Sequence, residues 1–233
     1  MFLDSGEPLK QLYALQLTCD IGGMLRLLIL WTLGVTVFAP VTPGPTPSFE
    51  IVPGKSFGPI HQNSSRADLA EAFGAANVTD ADIYLGEGNC TAGTRIYDGT
   101  PDALDVAWQD KEHTMVAFVR TSTAGSKWVT PRGVRIGTTL REIEKLAGKT
   151  ITFSGFGWDY GGGTHWEESS GELTLGLEID PGQKLTEGQT KQMPEIVGDK
   201  LIRSDHLLVR TLRIRVDLIR QDWGQVYGDH FCG

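Results

Sequence analysis

The sequence predicts an α+β fold made of two similar units, each a short helix packed on an antiparallel sheet. Two helices carry their own start and stop signals, the second repeats the first at a fixed spacing, and the strand segments alternate apolar and polar residues. The chain has 233 residues, 40% of them hydrophobic, enough for a sizeable core.

The first helix is SSRADLAEAFG. Ser65 caps it, Asp68 sits three residues on, Leu69, Ala72 and Phe73 form the apolar stripe, and Gly74 ends it. The second is TTLREIEKLAG, with Thr139 as cap, Glu142 completing a capping box, Leu140, Ile143 and Leu146 facing inward, and Gly148 at the end. Ser65 falls on Thr139 and Gly74 on Gly148, a repeat of 74 residues.

Strands follow each helix. Leu104, Val106 and Trp108 share one side of the segment 103–109, and HTMVAFVR is its partner. In ELTLGLEID, Leu173, Leu175, Leu177 and Ile179 oppose Glu172, Thr174, Glu178 and Asp180. In TLRIRVDLI, Leu212, Ile214, Val216 and Leu218 are expected to point inward, with Arg213, Arg215 and Asp217 outward. Such a pattern describes an antiparallel sheet with one wet face, so the helices cover the dry one. The polar stretch from Asp180 to Ile202 reads as a long loop.

The expected organisation is a leader at 1–39, a proline-rich linker at 40–48, a first unit at 49–128 and a second at 129–233. Leu27 to Ala39 is the most apolar stretch, too short for a comfortable membrane span. Arg26 precedes it and small residues and prolines follow, the order of a secretory signal. Its internal position suits a start at Met24; the alternatives are a start at Met1 and a short uncleaved anchor, the only route to a membrane. Export would remove Cys19 and leave Cys90 and Cys232, with a disulfide between them or two unpaired thiols as the options. The expected address is a bacterial periplasm or cell envelope.

A net charge of -8, from 21 basic and 29 acidic side chains without a basic run, argues against nucleic acid as a partner. No CxxC pair exists and the five histidines are scattered, so neither a metal site nor a cofactor is expected. GKSFG fits the form of a nucleophile elbow around Ser56, but Pro59 intervenes where a helix has to begin.

The opening Gly137-Thr138-Thr139-Leu140-Arg141-Glu142-Ile143 with Gly148, and Ser65 to Gly74 beside it, resembles the tandem helix-plus-sheet repeats of the beta-lactamase inhibitor protein and of small outer-membrane assembly lipoproteins. GFGWDYGG is similar to a stretch in uncharacterised exported bacterial proteins. The resemblance covers about residues 50 to 220 and implies the doubled fold; it transfers no functional residues.

The chemically densest stretch is GFGWDYGGGTHWEESSG, from Gly155 to Gly171. It reads as two strands joined by a glycine-rich turn, with Trp158, Asp159, Tyr160, His165 and Trp166 as candidate contacts for a ligand or partner. The leading function is a non-enzymatic binding or envelope-maintenance module whose partner is an envelope protein or a carbohydrate, with no catalytic residue assigned. The alternative is a hydrolase of envelope carbohydrate using Asp159 with Glu167 or Glu168.

Overall fold

A computed structural model describes residues 47–165 and 173–233 of the chain. The expected leader, the linker up to residue 46, and Trp166, Glu167 and Glu168 lie outside the described residues.

Both helices form with the caps written in the sequence. In α1 (Arg66–Phe73) the Ser65 hydroxyl accepts from the Asp68 backbone N–H at 3.2 Å, and the Asp68 carboxylate accepts from Ser65 N at 2.8 Å. In α2 (Leu140–Ala147) Thr139 and Glu142 make the same exchange at 3.3 and 2.8 Å. Each box satisfies backbone donors that an uncapped first turn leaves open. The C-terminal ends differ: Gly148 is left-handed and bonds back to Glu144, whereas Gly74 leads into a short 3-10 turn. Leu69 and Phe73 are the buried face of α1, Leu140 and Ile143 that of α2.

Among the described residues twelve strands accompany them: β1 (Ile51–Val52), β2 (Ser56–Phe57), β3 (Val78–Gly86), β4 (Asn89–Ile96), β5 (Leu104–Trp108), β6 (Val116–Thr121), β7 (Thr152–Ser154), β8 (Thr164–His165), β9 (Leu173–Ile179), β10 (Leu201–Arg203), β11 (Ile214–Asp222) and β12 (Asp229–Phe231). Strands β1 and β2 form a small hairpin and β7 pairs with β10. The other eight make one antiparallel sheet in the order β12-β4-β5-β6-β11-β9-β8, with β3 also paired along β4, and β12 and β5 meeting different stretches of it. The stretch expected as one loop after Asp180 contains α3 (Glu187–Gln192) and β10; α4 (Leu207–Thr211) follows before β11. The fold is α+β, a mostly antiparallel sheet with a few short helices.

One hydrophobic core joins the two helices to one face of the sheet. Leu69 and Phe73 share it with Val106 and Trp108, Leu140 and Ile143 with Leu175 and Val216. Residues from both 49–128 and 129–233 belong to it, and the described residues fall in one unit, Pro43–Gly233. The alternation expected in TLRIRVDLI breaks at a bulge between Val216 and Leu218. An extra residue there reverses the faces beyond it. Ile219 and Gln221 therefore enter the core, while Leu218 turns to the opposite face. Gln221 is fully buried and stays satisfied, accepting from Gly54 N at 2.9 Å and donating to Asp222 O at 3.2 Å.

Cys90 and Cys232 are joined by a disulfide across 142 residues of sequence, the pairing option the sequence left open. It fixes β12 along β4, and the tail before β12 lies over a second small cluster, Ile83, Ala107, Ala117 and Phe118, through Val226.

Candidate functional site

The face of the sheet turned away from the helices carries a row of polar side chains set by strand register. Thr79 stands opposite Arg95, Arg95 opposite Asp105, Asp105 opposite Arg120, Arg120 opposite Arg220, Arg220 opposite Thr174, and Thr174 opposite His165. Directly opposed residues of an antiparallel pair point to the same face, so the row runs through β3, β4, β5, β6, β11, β9 and β8. Its charges are largely paired. Asp105 accepts from Arg95 Nε at 2.9 Å and from Arg120 Nε and Nη2 at 3.1 and 3.0 Å. Asp222 accepts from Arg220 Nε and Nη2 at 2.8 and 2.7 Å.

Over one end of the row lies the loop between β7 and β8. Phe156 is buried and anchors it, with hydrogen bonds from Phe156 N to Ile196 O at 2.9 Å and from Gly198 N to Phe156 O at 2.9 Å. Gly162 presses it onto β9: its φ is +75°, and a Cβ there would lie 1.9 Å from Leu177 O. Only glycine suits that backbone in that space. With Phe156 inside and Gly162 against the sheet, the intervening Trp158, Asp159 and Tyr160 are left at the surface. Trp158 is 40% exposed and Tyr160 50%, with ring centroids 5.3 Å apart and an edge-to-face tilt.

Between loop and row is a cleft of about 450 Å³, within the range of small-ligand sites. Arg120, Arg220, Thr174 and His165 line it from the sheet, Asp159 and Tyr160 from the loop. His165 Nδ1 and Thr174 Oγ1 are 3.5 Å apart. Asp159 also ties the loop to the β3–β4 hairpin, where its carboxylate accepts from the Tyr84 hydroxyl at 3.1 Å and from the backbone N–H of Glu87. Tyr160 covers Gly86 of the same hairpin, its hydroxyl 3.1 Å from where a Cβ would stand.

Of the residues singled out by sequence, Asp159, Tyr160 and His165 thus line one cleft and Trp158 flanks it through Tyr160; Trp166 falls outside the described residues. The two expected strands are short, and the turn between them is a nine-residue excursion from Gly155 to Gly163. Sequence reasoning missed the polar row. Its signal was present in the outward charges Arg95, Asp105, Arg120 and Arg220, but aligning them requires the strand pairing.

Beside the cleft, Asp217 sits at the bulge of β11, with Oδ1 buried and without a hydrogen-bond partner. Burial, and then the charge of Glu178, push its carboxyl above the usual range. Among the described residues no group of three His, Cys, Asp or Glu could hold a metal ion, and no helix is long and apolar enough to cross a membrane. No protein-family model, curated protein or solved structure matches the chain.

Proposed function

We propose that this chain is a non-enzymatic binding or envelope-maintenance module, exported to an oxidising compartment, that presents the Trp158–Tyr160 loop and the adjoining cleft to an envelope protein or carbohydrate. The observation that carries the proposal is the construction of the loop. An anchored Phe156 and a glycine pressed on the sheet hold two aromatic rings outward over a cleft with a charge-paired floor. Aromatic side chains fixed in this way bind with little loss of conformational freedom.

Binding is preferred to carbohydrate hydrolysis because the two carboxylates among the described cleft residues, Asp159 and Asp222, have other work, while Glu167 and Glu168 lie outside the described residues. Asp159 accepts from Tyr84 and Glu87, and Asp222 from Arg220. A general acid must hold and release a proton at the substrate, and both carboxylates are already occupied as hydrogen-bond acceptors within the protein. Export draws support from the leader-like segment and from the disulfide. The reading also takes the two halves as copies of one unit, since both helices carry the same cap and the last strands of the two meanders, β6 and β11, are neighbours.

The test is in-cell crosslinking of the full chain with its native leader, comparing wild type with Tyr160→Ala. Envelope components captured by wild type and lost in the variant support the proposal. Capture that ignores Tyr160, or none at all, overturns it. Release of reducing sugar from envelope polysaccharide, abolished by Asp159→Asn, would replace it with the hydrolase reading.

A further inference from the structure

Four exposed aromatic side chains gather at the tip of the β3–β4 hairpin. Trp158 and Tyr160 approach it from the loop, Tyr84 belongs to β3, and Phe231, 80% exposed on β12, stands opposite Asn89 and 4.0 Å from the position of a Gly88 Cβ. Their polar handles are turned inward or used. Trp158 Nε1 donates to Gly155 O at 2.8 Å, and the Tyr84 hydroxyl donates to Asp159 while accepting from Gly88 N at 3.3 Å. Water therefore meets ring carbon and π surface, in a protein whose other large apolar side chains are mostly in the core.

Among the described residues, the carboxylates dominate the charge around these rings. Glu87 occupies the hairpin tip, exposed, with a φ of 52°. Asp159 is under Tyr84, and Asp82 and Asp229 are exposed on the two strands flanking β4. His230 faces this group, its Nε2 3.6 Å from Asp82 Oδ1. The arginines of the adjoining cleft, Arg120 and Arg220, are engaged by Asp105 and Asp222. Ring faces attract cations through their quadrupole, most strongly where carboxylates add to the field, and complementary charge steers and selects a partner.

We infer that this aromatic tip receives a basic segment of a partner protein, with lysine or arginine side chains seated on the rings of Trp158, Tyr160 and Phe231 and paired with Glu87. The inference rests on the binding reading above and names the chemistry of the partner.

Pentalysine is the probe, titrated against the full disulfide-bonded chain at low and at moderate salt and followed by calorimetry, with pentaglutamate as the control. Pentalysine should bind and pentaglutamate should not. The double variant Trp158→Ala/Tyr160→Ala, which leaves the net charge untouched, should weaken pentalysine about tenfold. Phe231→Ala, on the other side of the hairpin and on the disulfide-held tail, should weaken it in the same direction, and unchanged thermal unfolding would show that neither variant acts through misfolding. Equal affinity in wild type and in both variants would mean diffuse attraction to an acidic protein and would overturn the inference, as would failure of wild type to bind. If pentalysine fails while Tyr160-dependent capture persists, the partner's chemistry is wrong and the binding module stands. Loss of capture removes both.

Discussion

Arg120 and Arg220 stand directly opposite each other across the β6–β11 pair, and both guanidinium groups lie over the ring of Phe118, at 5.6 and 3.8 Å from its centroid. Like charges directly opposed on neighbouring strands destabilise a sheet. The arrangement persists because Phe118 offers its face to both and because Asp105 and Asp222 take one arginine each. Asp105 also holds Arg95, so its single charge is shared between two guanidinium groups from a half-buried position. Asp105→Asn should therefore cost about 1–3 kcal/mol in urea unfolding. A loss below about 0.3 kcal/mol would show that the row is held by strand pairing alone.

Those arginines also mark where the sequence stops being informative. Ser65 with Asp68, and Thr139 with Glu142, act over three residues, so both helices were legible with their caps. Leu104, Val106 and Trp108 alternate through an unbroken strand and were legible as a buried face. Leu218 was misplaced because a bulge shifts register without any local sequence signal. Strand β3 was missed although Ala81, Ile83 and Leu85 alternate with Asp80, Asp82 and Tyr84, because it is an edge strand whose inward side chains are few and only partly buried apart from Val78 and Ile83. Within the candidate site, the glycine-rich stretch announced itself by composition. Its union with Arg120, Arg220 and the β3–β4 hairpin depends on contacts between residues up to 75 apart, which no window along the chain contains.

The capping boxes of α1 and α2 should contribute independently. Ser65→Ala and Thr139→Ala should each lower stability by about 1 kcal/mol, and the double variant should show the sum to within about 0.5 kcal/mol. Hydrogen bonds from the backbone and side chain of the cap residue hold the carboxyls of Asp68 and Glu142 below their usual values. A depressed carboxyl adds stability above its unfolded value, near 3.8 for Asp68 and 4.5 for Glu142, and loses it as pH falls through the folded value. The variants should thus differ less from wild type in acid than at neutral pH, as read by urea midpoints across pH.

Asp217 should behave in the opposite sense. Its folded carboxyl titrates above 3.8, so the folded state holds more protons than the unfolded one in the window just above that value, and stability falls as pH rises through it. Once ionised, the group is buried with an unpaired oxygen. Asp217→Asn should raise stability at neutral pH by on the order of 1 kcal/mol, and the gain should vanish once acid protonates wild type. A gain that does not depend on pH would assign the effect to packing at the bulge.

Removing the disulfide should cost more than any single hydrogen bond. The bond closes a loop of 142 residues and fixes the tail that covers Ile83, Ala107, Ala117 and Phe118. Cys232→Ser should lower stability by about 2–5 kcal/mol and raise hydrogen exchange at Tyr227, Cys90 and Thr91, whose pairing with the tail it holds. Wild type treated with a dithiol should match the variant, and exchange at α2, remote from the tail in the sheet order, should change least.

Gly162 offers the sharpest test of the loop on which the binding site is built. Its φ of +75° disfavours any side chain, and a Cβ would fall 1.9 Å from Leu177 O, inside the backbone of β9. The obstacle is main chain on both sides, since Gly162 N donates to Ser154 O and Gly162 O accepts from Leu177 N at 3.1 Å. No rotamer can relieve it. Gly162→Ala should therefore lift the loop from the sheet at a cost above about 1 kcal/mol, parting Asp159 from Tyr84 and Tyr160 from Gly86. Tryptophan emission would report the change at Trp158, and Tyr160-dependent capture should disappear while α1 and α2 keep their helical signal. Gly133 has a similar φ of +88° with no atom within 4 Å of a Cβ. Gly133→Ala supplies the backbone-strain control, and only the Gly162 variant should lose capture.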